Sequence, residues 1–203
     1  MLDQRIYLAS SSPRRRELLN QIGIRFALLS FRHIPRADAE VDEAPLAGEA
    51  PADYVVRLAR AKAAHGLTLI GQRHLIARPV LAADTALDLD GGIIGKPGDE
   101  AEARSILQRL SGRSHRVLTA VAMVDGRRID HVLSVSEVRF RPLAEDEIRR
   151  YVATREPMDK AGAYGMQGHA AMFIEEVRGS PSGIVGLPLC ETALLLRRFG
   201  YPI

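Results

Sequence analysis

The stretch Ile6-Tyr7-Leu8-Ala9-Ser10-Ser11-Ser12-Pro13-Arg14-Arg15-Arg16-Glu17-Leu18-Leu19 decides the fold. Its first four residues read as a short buried strand. Ser10 to Ser12 make a polar turn, with Ser12 in the N-cap position and Pro13 in the first helical position, where a missing N–H costs nothing. Leu18, Leu19 and Ile22 then supply the apolar face of the helix. Arg14, Arg15 and Arg16 occupy the first turn, where the helix dipole disfavours cations by about 0.3–1 kcal/mol each when exposed. Three arginines beside free N–H groups suit an anion, most simply a phosphate chain. A solvated basic turn is the other reading.

Downstream, residues 26–30 read as a second strand. The connection from Arg32 to Ala50 is polar and carries an acidic cluster at Glu40, Asp42 and Glu43. Such a length points to a functional or a mobile loop, and its acids either meet a metal ion or are merely solvated. Pro51 to His65 reads as a helix stopped by Gly66, with Val55, Leu58 and Ala59 as its buried stripe. Lys62 falls next on that stripe, so its ammonium either snorkels outward or points into a site. Val80 to Ala83 is a continuous apolar run, hence a central strand, ending at Asp84-Thr85. An acid at a strand end in an α/β sheet is well placed for chemistry. Leu87 to Ile94, turning at Asp90-Gly91-Gly92, is a hairpin that carries Lys96 back beside Asp84.

The remaining pattern predicts a helix from Asp99 to Leu110, strands from Arg116 to Val124 and Ile129 to Phe140, and a helix from Glu145 to Ala153. A polar loop with three glycines follows, Glu156 to Gly168, in which backbone can approach a ligand closely. A strand from Ala171 to Val177 and a helix from Leu189 to Phe199 complete the chain.

The 203 residues suffice for one large domain or two small lobes. No apolar run reaches membrane-spanning length and the first ten residues lack a secretory core, so neither a membrane nor export is expected. The single Cys190 rules out an internal disulfide framework; in an apolar helical segment it reads as a core thiol of a cytoplasmic protein. A net charge of +3 suits an anionic small molecule as well as nucleic acid. Of 28 cations only Lys62, Lys96 and Lys160 are lysines. A compact ammonium reaches phosphate oxygens and tight pockets that a guanidinium fork does not fit.

Taken together, S-S-S-P-R-R-R-E-L-L, A-D-T followed by G-K-P, L-S-G-R-S-H-R-V-L-T-A-V, E-P-M-D-K-A-G-A-Y-G-M-Q-G and V-G-L-P-L resemble the Maf family of septum-formation-like nucleotide pyrophosphatases. The resemblance covers nearly the whole chain. It implies one domain over residues 1–203, an α/β fold with a mixed, elongated, twisted sheet, flanking helices and a cleft between two lobes, similar to inosine triphosphate pyrophosphatases. It also implies a homodimer. The implied reaction is attack of water on the α-phosphorus of dTTP or UTP, releasing pyrophosphate. On the matching positions, Asp84, Lys62 and Lys96 would be catalytic, with Asp84 as proton acceptor. Ser10, Arg14, Arg15, Thr85 and Gln167 would bind substrate, and Glu43 with Asp84 would hold a divalent metal, Mg²⁺ or Mn²⁺. The family pattern breaks at Pro181 and Gly183, where an aromatic residue and an Asn are usual.

Elementary chemistry converges on this. A leaving pyrophosphate needs fixed cations, and oxygen ligands at Asp84 and Glu43 suit a hard divalent ion. The six scattered histidines have no zinc spacing, and neither a Walker A loop nor G-x-G-x-x-G occurs. A different class remains open: a non-catalytic regulator of cell division that binds nucleotides or nucleic acid. Against it stand the acidic pair and the lack of an aromatic-basic stacking surface, with aromatics at 5%.

Overall fold

The computed structural model describes residues 5–30 and 41–203, so Glu40 lies outside the described residues. In chain order it contains β1 (Ile6–Leu8), α1 (Pro13–Gln21), β2 (Phe26–Leu28), α2 (Pro51–Gln72), β3 (Val80–Leu89), β4 (Gly92–Ile94), α3 (Glu100–Leu110), β5 (Ser114–Val124), β6 (Ile129–Phe140), α4 (Glu145–Ala153), three 3₁₀ turns between residues 156 and 173, β7 (Ile174–Arg178), α5 (Pro181–Val185) and α6 (Leu189–Arg198). The strands form one mixed sheet in the order β2-β1-β3-β5-β6-β7, with β4 paired to β3. β2, β1 and β3 run parallel, whereas β3, β5, β6 and β7 are antiparallel neighbours.

β3 is the spine. It does not end at Asp84-Thr85, as its first four apolar residues suggest, but continues to Leu89 and is buried along nearly its whole length. The reason is its partner: β5 pairs with it without a break from Val80↔Val124 to Asp88↔Arg116. On its other edge, β1 pairs only with Val80 and Leu81, and β4 begins at Leu87. Between those two, around Asp84 and Thr85, β3 has no strand on that side among the described residues.

The pleat sorts residues by face. Val80, Ala82 and Ala86 pack with α2 residues Val55, Leu58 and Ala59 in one core cluster. Leu81 and Ala83 face the other way, onto Leu18 and Leu19 of α1 and Leu195 and Leu196 of α6. Farther along that second face, Leu87 and Leu89 join a separate cluster with α3, α4 and Phe140. Two clusters thus share one sheet face, and the gap between them falls at Thr85. The expected elongated mixed sheet with two lobes follows from this division.

Several local expectations are corrected. Gly66 does not stop α2, which runs to Gln72; a Cβ there would lie 2.8 Å from Val80 Cγ1 and 3.3 Å from Ala9 Cβ. The glycine lets helix and sheet approach closely, and packing outweighs its weak helix propensity. The strand expected from Ala171 begins only at Ile174, because His169–Phe173 forms a 3₁₀ turn that buries Ala170 and Phe173. Cys190 is exposed, not a core thiol. It lies at the start of α6, on the side away from the buried Thr192, Leu195 and Leu196. Among the described residues, no helix is long and apolar enough to cross a membrane.

Candidate active site

Where β1 leaves the edge of β3, the chain turns at Ser10 and enters α1. Ser12 caps the helix, its Oγ accepting from Arg15 N at 3.4 Å, and Ser10 Oγ accepts from Ser12 N at 3.2 Å. In the parallel ladder Tyr7 N donates to Pro79 O and Ala9 N to Leu81 O. The next carbonyl of β3, Ala83 O, has no strand donor left and is instead taken by Arg15 Nη1 at 2.8 Å. Arg15 also donates from Nε to Gly186 O at 2.8 Å and from Nη2 to Thr85 Oγ1 at 3.2 Å. One of the guanidinium's five N–H groups thus takes the place of a missing strand donor, and two more tie it to Gly186 and to the Thr85 hydroxyl.

Asp84 and Thr85 point to opposite faces of the sheet. On the α2 face, Lys62 Nζ lies 2.6 Å from Asp84 Oδ1 and 2.7 Å from Glu43 Oε1. Lys62 therefore points into a site instead of snorkelling outward, and its side chain is only 16% exposed. Burial pushes the Asp84 carboxyl above its usual value, although the Lys62 ammonium and Arg15 pull the other way.

Glu43 is held from α2. Tyr54 Oη donates to Glu43 O at 3.0 Å, and Arg57 clamps Glu49 through 2.6 and 2.7 Å bonds while donating to Ala44 O. The Arg57 hydrogen bonds hold the Glu49 carboxyl down at about 2. Burial, then Asp84 and Glu43, push the Tyr54 hydroxyl up to about 12, so it stays a neutral donor. Of the acids in that connection only Glu43 reaches the site among the described residues; Asp42 turns back to cap Ala44 N at 2.9 Å.

Glu43, Tyr54, Lys62 and Asp84 line a cavity of about 870 Å³. The structure brings all the expected residues to it: Ser10, Arg14, Arg15, Glu43, Lys62, Asp84, Thr85, Lys96 and Gln167. The pairing of Leu87 with Ile94 carries Lys96 there, as the hairpin predicted. Arg14 makes a loose contact with Asp159, 3.6 Å from Nη1 to Oδ2.

The cavity holds three more groups to which the sequence assigned no specific role. Lys160, whose scarcity as a lysine was the available signal, donates to Glu156 O at 2.5 Å and to Asp159 Oδ1 at 2.6 Å. Its stem passes beneath Gly165, where a Cβ would sit 2.7 Å from Lys160 Cε. Tyr54 and Tyr164 also line the wall; Tyr164 is held from behind by the buried His115, whose Nε2 is 2.8 Å from Tyr164 Oη. Burial pushes His115 down to about 4, so it is neutral. No local pattern marks Tyr54, whereas Tyr164 lies inside the E-P-M-D-K-A-G-A-Y-G-M-Q-G stretch without a role of its own there.

Among the described residues, no three His, Cys, Asp or Glu side chains converge as a self-sufficient metal site. Asp84 and Glu43 nevertheless each spend one oxygen on Lys62 and keep the other. Two carboxylates completed by water and substrate phosphates are a donor set that fits Mg²⁺.

Fold and site define an α/β protein whose cation-lined cavity surrounds a buried carboxylate at a gap in its sheet. The sequence profile described as Maf-like protein matches residues 5–199. The chain belongs to that family. A protein of Aromatoleum aromaticum called dTTP/UTP pyrophosphatase is 62% identical, over 100% of this chain and 98% of its own. Proteins of the same name from Dechloromonas aromatica and Chromobacterium violaceum are 58% and 48% identical, covering 97% and 99% of this chain and 98% of each of theirs. Among solved structures, the Staphylococcus aureus Ham1 protein aligns over 96% of this chain and 97% of its own, at 15% identity and a TM-score of 0.49.

Proposed function

We propose that the chain hydrolyses dTTP and UTP to the monophosphate and pyrophosphate. The observation that carries this reading is Lys62 Nζ set between Asp84 and Glu43 in a cavity that also presents Arg14 and Lys96. A pure anion binder gains nothing from two carboxylates facing its ligand. The substrate class is supported by the printed name of relatives at 62% and 58% identity.

In this reading a water oxygen bonds to the α-phosphorus, the bond to the bridging oxygen breaks, and pyrophosphate leaves with that electron pair. The water's proton passes to Asp84, which burial makes a better base than an exposed aspartate. Lys62 orients that carboxylate, while Lys96 and Arg14 balance charge on the phosphates. Asp84 and Glu43 would hold a divalent cation, which would supply further charge neutralisation on the phosphates. The reading carries a cytoplasmic setting and a homodimer with it, the latter checked by light scattering.

The test is release of pyrophosphate from dTTP, UTP, CTP, GTP and 7-methyl-GTP with Mg²⁺ or Mn²⁺. The expected order puts dTTP and UTP well ahead, with little discrimination at the 2′ position. Preference for 7-methyl-GTP would overturn the substrate assignment, and no release from any nucleotide would overturn the enzyme reading.

A further inference from the structure

Thr119 lies behind the cavity wall, 1% exposed, opposite Thr85 in the β3–β5 ladder. Its Oγ1 donates to Gly183 O at 2.8 Å and sits 2.9 Å from Thr85 Oγ1. A hydroxyl has one proton. Since the Thr119 proton goes to Gly183 O, the bond between the two threonines must run the other way, from Thr85 to Thr119. Thr85 in turn accepts from Arg15 Nη2 at 3.2 Å. The circuit closes on the far side: Gly186 N donates to Gly183 O at 3.0 Å, and Gly186 O accepts from Arg15 Nε at 2.8 Å. Gly186 has φ 122°, a conformation open to glycine. Every member of the ring therefore has a fixed donor or acceptor sense.

The consequence falls on Thr85, the one hydroxyl of the ring that lines the cavity. Its proton is committed inward, so it can offer a ligand only a lone pair. Gln167 is different: it is exposed, and no hydrogen bond fixes its amide among the described residues. A flippable amide cannot by itself distinguish a donor from an acceptor on the ligand.

We propose that Thr119 is a specificity-determining positioning residue: by accepting the Thr85 proton it makes Thr85 an obligate acceptor, which favours a base carrying a ring N–H over one that lacks it. Thymine and uracil have that N–H, and cytosine does not. The inference rests on the nucleotide reading given above.

The test compares wild type, Thr119→Val and Thr119→Ser with dTTP, UTP and CTP, by kcat/KM and by calorimetric affinity for the same nucleotides without added metal. Valine keeps the shape but removes the acceptor, freeing the Thr85 proton to turn toward the ligand. The uracil-over-cytosine ratio is expected to fall by about fivefold or more, while serine keeps the wild-type ratio. Should Thr119→Val not fold, Thr85→Val supplies the second arm: removing the hydroxyl under control should lower the ratio as much, and adding Thr119→Ser to it should change nothing further. An unchanged ratio in Thr119→Val or Thr85→Val, or a loss in Thr119→Ser equal to that in the valine variant, overturns the proposal. Selective binding without turnover overturns the enzyme reading alone. Turnover or binding that does not separate uracil from cytosine in the wild type overturns the specificity role alone.

Discussion

Lys62 Nζ reaches Asp84 Oδ1 at 2.6 Å from a helix that packs over the centre of the sheet, and the ammonium stands between that buried carboxylate and the exposed Glu43. The pairing comes from two periodicities that meet. Lys62 follows Val55, Leu58 and Ala59 on the buried stripe of α2, and Asp84 follows Val80 and Ala82 on the strand face beneath.

Asp84→Asn keeps the shape of the side chain but removes the base, and turnover should fall by on the order of 10²-fold or more. Calorimetric nucleotide affinity should fall much less. Near-normal turnover would reduce Asp84 to a structural role.

The pH dependence has a defined sign. Burial holds the Asp84 carboxyl above its unfolded value, so the folded state binds that proton more tightly. The stability this contributes is fully present below the unfolded pKa and is lost as pH rises through the folded one. Urea denaturation should therefore show Asp84→Asn gaining on wild type as pH rises above the range in which an unfolded aspartate ionises. In wild type the acid limb of kcat should lie above the range of an exposed carboxylate. A stability difference that does not change with pH would count against the shifted carboxyl.

Lys62→Arg and Lys96→Arg preserve charge while replacing a compact donor with a planar fork. Lys62 has two carboxylates within 2.7 Å and little room between them. Both variants should lose most of their activity in the pyrophosphate assay. Arg127→Lys and Arg198→Lys, at exposed positions away from the cavity, should not. Equal tolerance at all four positions would mean that the ammonium groups have no special task.

Arg14 and Arg15 are neighbours in sequence with separable roles. Arg15 serves Gly186 O, Ala83 O and Thr85 Oγ1. A lysine cannot satisfy all three, so Arg15→Lys should lower unfolding free energy by about 1–3 kcal/mol. Among the described residues Arg14 makes only its loose contact with Asp159. Arg14→Gln should leave stability within about 0.5 kcal/mol and raise KM about tenfold. The reverse pattern would exchange the two assignments.

Gly66→Ala should destabilise despite its better helix propensity. The new methyl would meet Val80 Cγ1 at 2.8 Å and Leu29 Cδ2 at 3.2 Å. Overpacking of about 1–3 kcal/mol outweighs the propensity gain of about 1 kcal/mol. A raised denaturation midpoint would show that the sheet yields.

Much of this was legible in the sequence because it depends on near neighbours. The Ser12 cap, the α3 and α4 helices, the Asp90-Gly91 hairpin turn and the apolar core of β3 are written in local periodicity and turn chemistry. The lysine scarcity and the family resemblance named the residues that line the cavity. What the sequence could not express is long-range register. Local pattern ended β3 at Asp84, whereas its pairing with β5 carries the strand to Leu89. It read Gly66 as a stop, whereas Val80, Leu29 and Ala9 make it a close contact. It placed Arg15 at the site, and only the structure shows that the early end of β1 also leaves Ala83 O for that guanidinium to satisfy. The direction of the Thr85 hydroxyl is also a tertiary fact, since one proton is shared out along groups from four separate elements. Sequence by itself determined which residues carry charge and which elements they ride on. Tertiary structure decided which donors were already spent, because a hydrogen bond's sense depends on every other partner in its chain.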